Sequence, residues 1–274
     1  LASLLESRGN KTEALAYYTR ARETGNPEGF IEEARYWLRN NDADRGVGTL
    51  NDAIRRSPAN ASLYEWKGKI LLSQKRYRDA VRTFEELSQI DPKRGFSAQV
   101  EAQLAAGEYD KALDLVNRQI RKEPDRAELK AEVSLIYLAM GKKREAMENA
   151  AELVRSHPEA AAGYQALANA QVLNGAPGQA IATLKKAQVK DAGLSVMLGN
   201  LFAMQKQFAA ALDEYRRAET ITQGYVPAVF QKAAVLHTMG KKKEAVSEYQ
   251  RVLRSSPNYV PALNNLAYIY AEDG

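Results

Sequence analysis

A small residue recurs along this chain at Ala14, Gly46, Ala80, Ala112, Ala146, Ala180, Ala211 and Ala245, in steps of 32, 34, 32, 34, 34, 31 and 34. A period of this size, filled with amphipathic stretches and punctuated by Gly and Pro, constrains the fold more than any composition does. It predicts helix pairs stacked one on the next, because a single pair cannot bury its apolar face alone. The stretch that shows the unit most clearly is Ala61 to Pro92, two amphipathic helices joined by a short polar turn and closed by a proline.

Each recurring position has a mechanical reason. Four residues after the small one stands a bulkier side chain: Tyr18, Leu50, Phe84, Val116, Leu184, Tyr215 or Tyr249, with Ala150 the exception. Residues four apart share a helix face, so the two positions bury together. Seven after it, Ala21, Ala53, Leu87, Leu153, Ala187, Ala218 and Val252 extend the stripe, and Gln119 interrupts it. Twelve before it, in the first helix of each pair, come Ala34, Gly68, Ser134, Ala168, Gly199 and Ala233, with Ala267 the equivalent in the incomplete last repeat. Small residues there allow two helices to approach closely, and a larger one would overpack the contact by roughly 1–3 kcal/mol.

The punctuation agrees. Gly9, Gly107, Gly141, Gly175 and Gly240 stand where first helices end, the place for a left-handed cap. Pro58, Pro92, Pro124, Pro158 and Pro257 stand where second helices have ended. Small, Gly, aromatic, Ala and Pro at these offsets resemble the tetratricopeptide repeat (TPR) family over essentially the whole chain. The resemblance implies an all-α, right-handed α-solenoid of about eight helix-turn-helix repeats plus a half repeat, spanning 1–274 as one solenoid domain. Both ends read as cut through a repeat of a longer array.

Along the chain, Leu1 to Gly9 and Thr12 to Glu23 form the first pair, and Pro27 to Pro58 the second. Ala61 to Pro92 is the third. Phe96 to Pro124 is the fourth, with a shortened first helix, a polar Gln119 and an expected change of curvature. Ala127 to Asp191 carries two regular repeats, with a rigid turn at Gly175 to Gly178. Gly193 to Thr222 and Val226 to Pro257 follow, and Pro261 to Gly274 is a first helix with no second after it.

Chemistry is sparse. The chain has no cysteine and only two histidines, His157 and His237. Disulfide and thiolate chemistry are thereby excluded, and neither metal-ligand spacing nor a Gly-rich phosphate loop is present. His157 precedes a proline and reads as a helix C-cap. No catalytic residue, metal or cofactor is expected, and the chain reads as non-enzymatic. A net charge of +5 leaves Lys142 to Arg144 and Lys241 to Lys243 as basic turns, read as solubilising rather than as a nucleic-acid stripe. No run approaches the ~20 apolar residues of a membrane span. Absence of cysteine suits a periplasmic, envelope-associated or cytoplasmic setting equally, so the compartment stays open.

What remains is binding. The TPR resemblance implies a concave groove lined by first helices, whose exposed positions one past the small residue are Arg35, Lys69, Glu101, Leu135, Asn169, Asn200, Ala234 and Tyr268. Asn169 and Asn200 offer both donor and acceptor to an extended peptide. Gln165 and Val196 lie one turn before them, with Met197, Met204, Phe230, Gln231, His237 and Asn264 nearby. The competing reading is that several of these only pack between adjacent first helices. The carboxylate-clamp offsets of chaperone-tail binders hold Gln165, Asn169, Met197, Pro227 and Gln231, so its cations are missing. The implied function is an interaction scaffold holding a protein or peptide partner, similar to bacterial TPR proteins of envelope and exopolysaccharide assembly. The alternatives are a regulatory or substrate-recruiting arm of a larger enzyme such as a glycosyltransferase, an exopolysaccharide export protein, or a self-associating structural module.

Overall fold

The computed structural model describes residues 1–272, and every regular element among them is a helix. In chain order these are α1 (Ala2–Ser7), α2 (Lys11–Glu23), α3 (Pro27–Arg39), α4 (Ala43–Arg56), α5 (Ala61–Ser73), α6 (Tyr77–Ile90), α7 (Pro92–Ala105) and α8 (Tyr109–Lys122). They continue with α9 (Ala127–Ala139), α10 (Lys143–Ser156), α11 (Ala161–Leu173), α12 (Pro177–Lys186), α13 (Ala192–Met204), α14 (Phe208–Ile221), α15 (Val226–Thr238), α16 (Lys242–Ser255) and α17 (Val260–Glu272). Odd-numbered helices are the first of each pair and even-numbered ones the second. None of them is long and apolar enough to cross a membrane. Asp273 and Gly274, the end of the last expected helix, lie outside the described residues.

The chain divides into two compact units, Leu1 to Arg118 and Gln119 onward, with the division falling inside α8. Each is a stretch of all-α helical repeat solenoid. The first has a core built on Phe30, Leu50, Leu63, Ile70, Phe84 and Leu87. The second buries Leu184, Leu198, Leu201, Tyr215, Val229, Tyr249 and Ile269 among others.

Within each pair the turn is closed by the same backbone device. Asn10, Asp42, Arg76, Glu108, Lys142, Ala176, Gln207 and Lys241 each donate their N–H to a carbonyl five residues back, at 2.8–2.9 Å. This six-to-one bond requires the preceding residue to be left-handed. Five of those residues are the anticipated glycines, and the other three are Asn41, Lys75 and Lys206 at φ 59°, 58° and 59°. The turn is thus kept even where the favoured residue is missing.

The ruler positions are fully enclosed: Ala14, Ala80, Ala112, Ala146, Ala180, Ala211 and Ala245 are all 0% exposed. Their partners four residues on are buried as well. The first-helix small residues explain why. A Cβ on Gly68 would lie 2.1 Å from the Phe84 ring, and one on Gly199 would lie 2.5 Å from the Tyr215 ring. The aromatic side chain of the second helix fills the space left by the missing side chain of the first. Ala267 departs from this pattern and is exposed, because no second helix follows α17 among the described residues.

Three local expectations are corrected. The first helix of repeat four is not shortened: α7 runs fourteen residues from Pro92. Pro92 therefore starts that helix at its first turn, where a missing N–H costs nothing, instead of closing the one before. Asp91 ends α6 and also caps α7, accepting from the Arg94 N–H at 3.0 Å. The two helices follow without a linker, and Gly95 permits this, since a Cβ there would lie 2.4 Å from the Ser88 backbone. Repeat six is the irregular one instead: α12 stops at Lys186, and Ala187 takes an extended conformation. Gln119 is half-buried where it interrupts the apolar stripe, and its amide donates to the Glu123 carboxylate.

Candidate functional site

Adjacent first helices within each unit leave a cavity between them. In the first unit α5 and α7 enclose about 600 Å³ lined by Glu65, Lys69, Phe84, Asp91, Lys93, Arg94, Ser97, Ala98 and Glu101. In the second, α9 and α11 enclose about 240 Å³ lined by Glu128, Ala131, Glu132, Leu135, Ala162, Gln165, Ala166 and Asn169. The lining follows from helix geometry. Residues 128, 131, 132 and 135, like 162, 165, 166 and 169, are spaced to share one face. Alanines on both sides keep the walls low, so the longer polar side chains rim the space.

The two cavities differ in charge balance. In the first, the Lys69 ammonium and the Arg94 guanidinium both donate to Glu65. Burial would raise the Glu65 acid, yet those two cations outweigh it and hold the carboxyl below its ordinary value. In the second, burial pushes the Glu132 carboxyl up, with no opposing charge. Glu128 is exposed and lies 3.9 Å from Arg126, whose guanidinium also holds Glu123 at 3.0 Å.

The anticipated groove residues do not come together as one site. Gln165 and Asn169 face the α9–α11 cavity, joined there by Leu135, while Lys69 and Glu101 line the other one. Asn200 is committed internally, its Oδ1 accepting the Tyr215 hydroxyl at 2.8 Å. The Tyr215 phenol is in turn pushed up to about 12 by burial. Phe230 is half-buried against the core, its ring 5.7 Å from that of Tyr249 and 5.3 Å from that of Tyr259. Met197 packs against the same core. Met204 is 72% exposed near the end of α13, and Asn264 is exposed on α17. Gln231 is half-buried on α15, and His237 is half-buried with its ring 6.0 Å from Tyr268. These residues line neither of the two cavities.

Sequence reasoning missed Glu132 and Glu128. The signal was available, since they stand three and seven residues before Leu135, on the face that Leu135 was expected to expose. Other readings hold: His157 is the C-cap of α10, its N–H bonded to the Leu153 carbonyl. The basic turns carry local acid partners, with Arg144 near Glu148 and Lys241 near Glu244.

Comparison with known proteins agrees with this architecture. Tetratricopeptide repeat models match residues 31–94 and 133–195, residues 71–136, and residues 226–259. Human Superkiller complex protein 3 is 33% identical over 95 residues, which are 34% of this chain and 6% of that protein. Tetratricopeptide repeat protein 37 of Xenopus laevis is 32% identical over 81 residues, 30% of this chain and 5% of that one. The match thus spans only a small part of either relative's length. Among solved structures, a tetratricopeptide repeat protein from Parabacteroides merdae superposes with a TM-score of 0.51 at 15% identity, covering 89% of this chain and 98% of its own. A thermophilic TPR protein of Thermus thermophilus gives 0.51 at 23% identity, covering 63% and 95%. Those two likenesses speak for the fold. The period, the left-handed turns, the small-to-aromatic packing and the family matches lead to one conclusion: this chain belongs to the tetratricopeptide repeat family.

Proposed function

We propose that this chain is a non-catalytic interaction scaffold that holds an extended segment of a protein partner along the face shared by neighbouring first helices. The observation that carries the reading is the cavity between α9 and α11. Its Gln165 and Asn169 amides point into open space and have no hydrogen-bond partner among the described residues. Such amides suit a peptide backbone, which alternates donors and acceptors. The helices that present them are held by buried Ala146, Ala150, Leu153, Ala168 and Ala180, so the face is preorganised and little is lost to ordering on binding.

The test is a pull-down with three proteins of matched melting behaviour: wild type, Gln165→Ala/Asn169→Ala, and Glu148→Ala/Glu152→Ala on the exposed side of α10. The groove reading expects the captured partner to be lost with the first variant and kept with the second. Capture that survives the first and vanishes with the second would place the site on the second helices.

A further inference from the structure

We propose that the cavity between α9 and α11 is a pocket for one basic side chain, an arginine or lysine of the bound peptide, with Glu132 as its counter-charge. This deepens the groove reading and rests on it. Three independent features of the cavity point to the same occupant.

The first is size. At about 240 Å³ the cavity falls below the roughly 300–1,000 Å³ of pockets that enclose whole small molecules. A single long side chain is the occupant that fits, entering from a peptide that runs across the two helices.

The second is uncompensated charge. The lining holds Glu128 and Glu132 and no lysine or arginine. The corresponding cavity between α5 and α7 holds three acids and three bases, and its Glu65 is bonded to two of them. The cations nearest to Glu132 in sequence have other contacts: Lys130 lies 3.4 Å from His157, and Arg126 is held by Glu123. Glu132 itself has no ion pair or hydrogen bond among the described residues. A half-buried carboxylate without a partner has lost part of its hydration with no contact to offset it. Desolvation accordingly raises its acid above the ordinary value. The chain as a whole is cationic at +5, so an unpaired anionic pocket is not a reflection of overall charge.

The third is the chemistry of the remaining walls. The carbonyl oxygens of Gln165 and Asn169 can accept from a guanidinium, whose five N–H groups form a planar fork. Leu135, 40% exposed at the rim, offers apolar surface to the methylene stem of a long cationic side chain. An acidic or short apolar side chain would leave Glu132 as it is now.

The experiment is selection of a randomised 12-residue peptide library on the immobilised wild-type chain, followed by affinity measurement on Glu132→Gln and on Gln165→Ala/Asn169→Ala. Glu132→Gln removes a charge that opposes folding, so a folding defect is not anticipated, and a melt of each variant checks this. The expected result is enrichment of Arg or Lys at one fixed position. Affinity for those peptides should fall about tenfold on Glu132→Gln, the size of one charge-assisted contact. Enriched peptides that lose affinity on Gln165→Ala/Asn169→Ala but carry no fixed basic residue, or are indifferent to Glu132→Gln, would overturn the pocket and leave the groove standing. Peptides indifferent to both variants, or no enrichment at all, would overturn both.

Discussion

Replacing Gly68 by alanine tests the packing logic of the repeat in a single methyl group. Two effects of opposite sign meet at this residue. In the interior of α5 the substitution should stabilise the helix by about 1 kcal/mol, because glycine is the poorer helix former. The added Cβ, however, would lie 2.1 and 2.2 Å from two carbons of the Phe84 ring. Ordinary carbon contacts are ~3.5–4.0 Å, so the ring would have to retreat by well over an ångström. Phe84 is 1% exposed and borders the α5–α7 cavity, so the ring must either tilt toward that space or move α6. Overpacking of this kind costs about 1–3 kcal/mol, which less the ~1 kcal/mol gained in helix propensity leaves a net loss of up to about 2 kcal/mol. Gly48 supplies the control. It lies inside α4, and a Cβ there would meet nothing within 4 Å, so Gly48→Ala should gain about 1 kcal/mol. The assay is urea unfolding followed by helical circular dichroism, with amide exchange in α5 and α6 as the local readout, since repeat arrays need not melt in one step. Phe84→Leu in the Gly68→Ala background should recover part of the loss. If Gly68→Ala stabilises as much as Gly48→Ala, the small-to-aromatic contact does not set the helix spacing.

Other perturbations read different parts of the molecule. Lys75→Gly and Lys206→Gly should each stabilise by up to about 1 kcal/mol in urea melts, since both residues hold a left-handed φ that costs a side chain more than it costs glycine. Lys232 lies 2.7 Å from Glu219 and 3.1 Å from Glu248, with Arg251 bonded to both acids. Lys232 is 12% exposed and joins α14, α15 and α16, so Lys232→Ala should cost about 2–3 kcal/mol. Adding Glu219→Gln and Glu248→Gln should restore much of that in the same melt. The Arg39 guanidinium, and secondarily the Tyr18 hydroxyl, hold the Glu6 acid below 4.5 against its burial. Its stabilising contribution is therefore complete above the unfolded value and lost as pH falls through the lower folded one. Exchange protection in α1 should drop below about pH 4.5, and Glu6→Gln should abolish that dependence. Glu132→Gln should raise stability at neutral pH by under about 1 kcal/mol. Its raised acid makes the penalty absent below the unfolded value and present once pH passes the folded one.

Most of the fold was legible because it depends on local rules that repeat. A small residue, a wedge four later and a left-handed turn are one-dimensional patterns, and eight copies of them average out the exceptions. What escaped was whatever depends on a particular neighbour. Pro92 reads equally as a stop or a start, and only the zero-length junction at Asp91 decides it. Asn200 and Asn169 occupy the same repeat position. Tyr215 claims the first, while the second, in a repeat whose wedge is Leu184, is left free. The ring contacts of Phe230 with Tyr249 and Tyr259 were not legible, because those partners lie nineteen and twenty-nine residues away in sequence. Glu132 was overlooked for a different reason: its spacing from Leu135 put it on the right face, but carboxylates are common on helices and the lack of a nearby cation does not show in the sequence.

The junction at Asp91 also sets where the chain can be cut. Between other repeats a few non-helical residues are available, as at Ser57 to Asn60 or Ala187 to Asp191, and a protease needs such an extended stretch to seat in its active site. At Asp91 there is none, for one residue ends a helix and begins the next. Limited digestion should therefore yield fragments that break on either side of repeats three and four while leaving the two joined. Swapping single repeats between related arrays would likewise have to carry this pair as one piece.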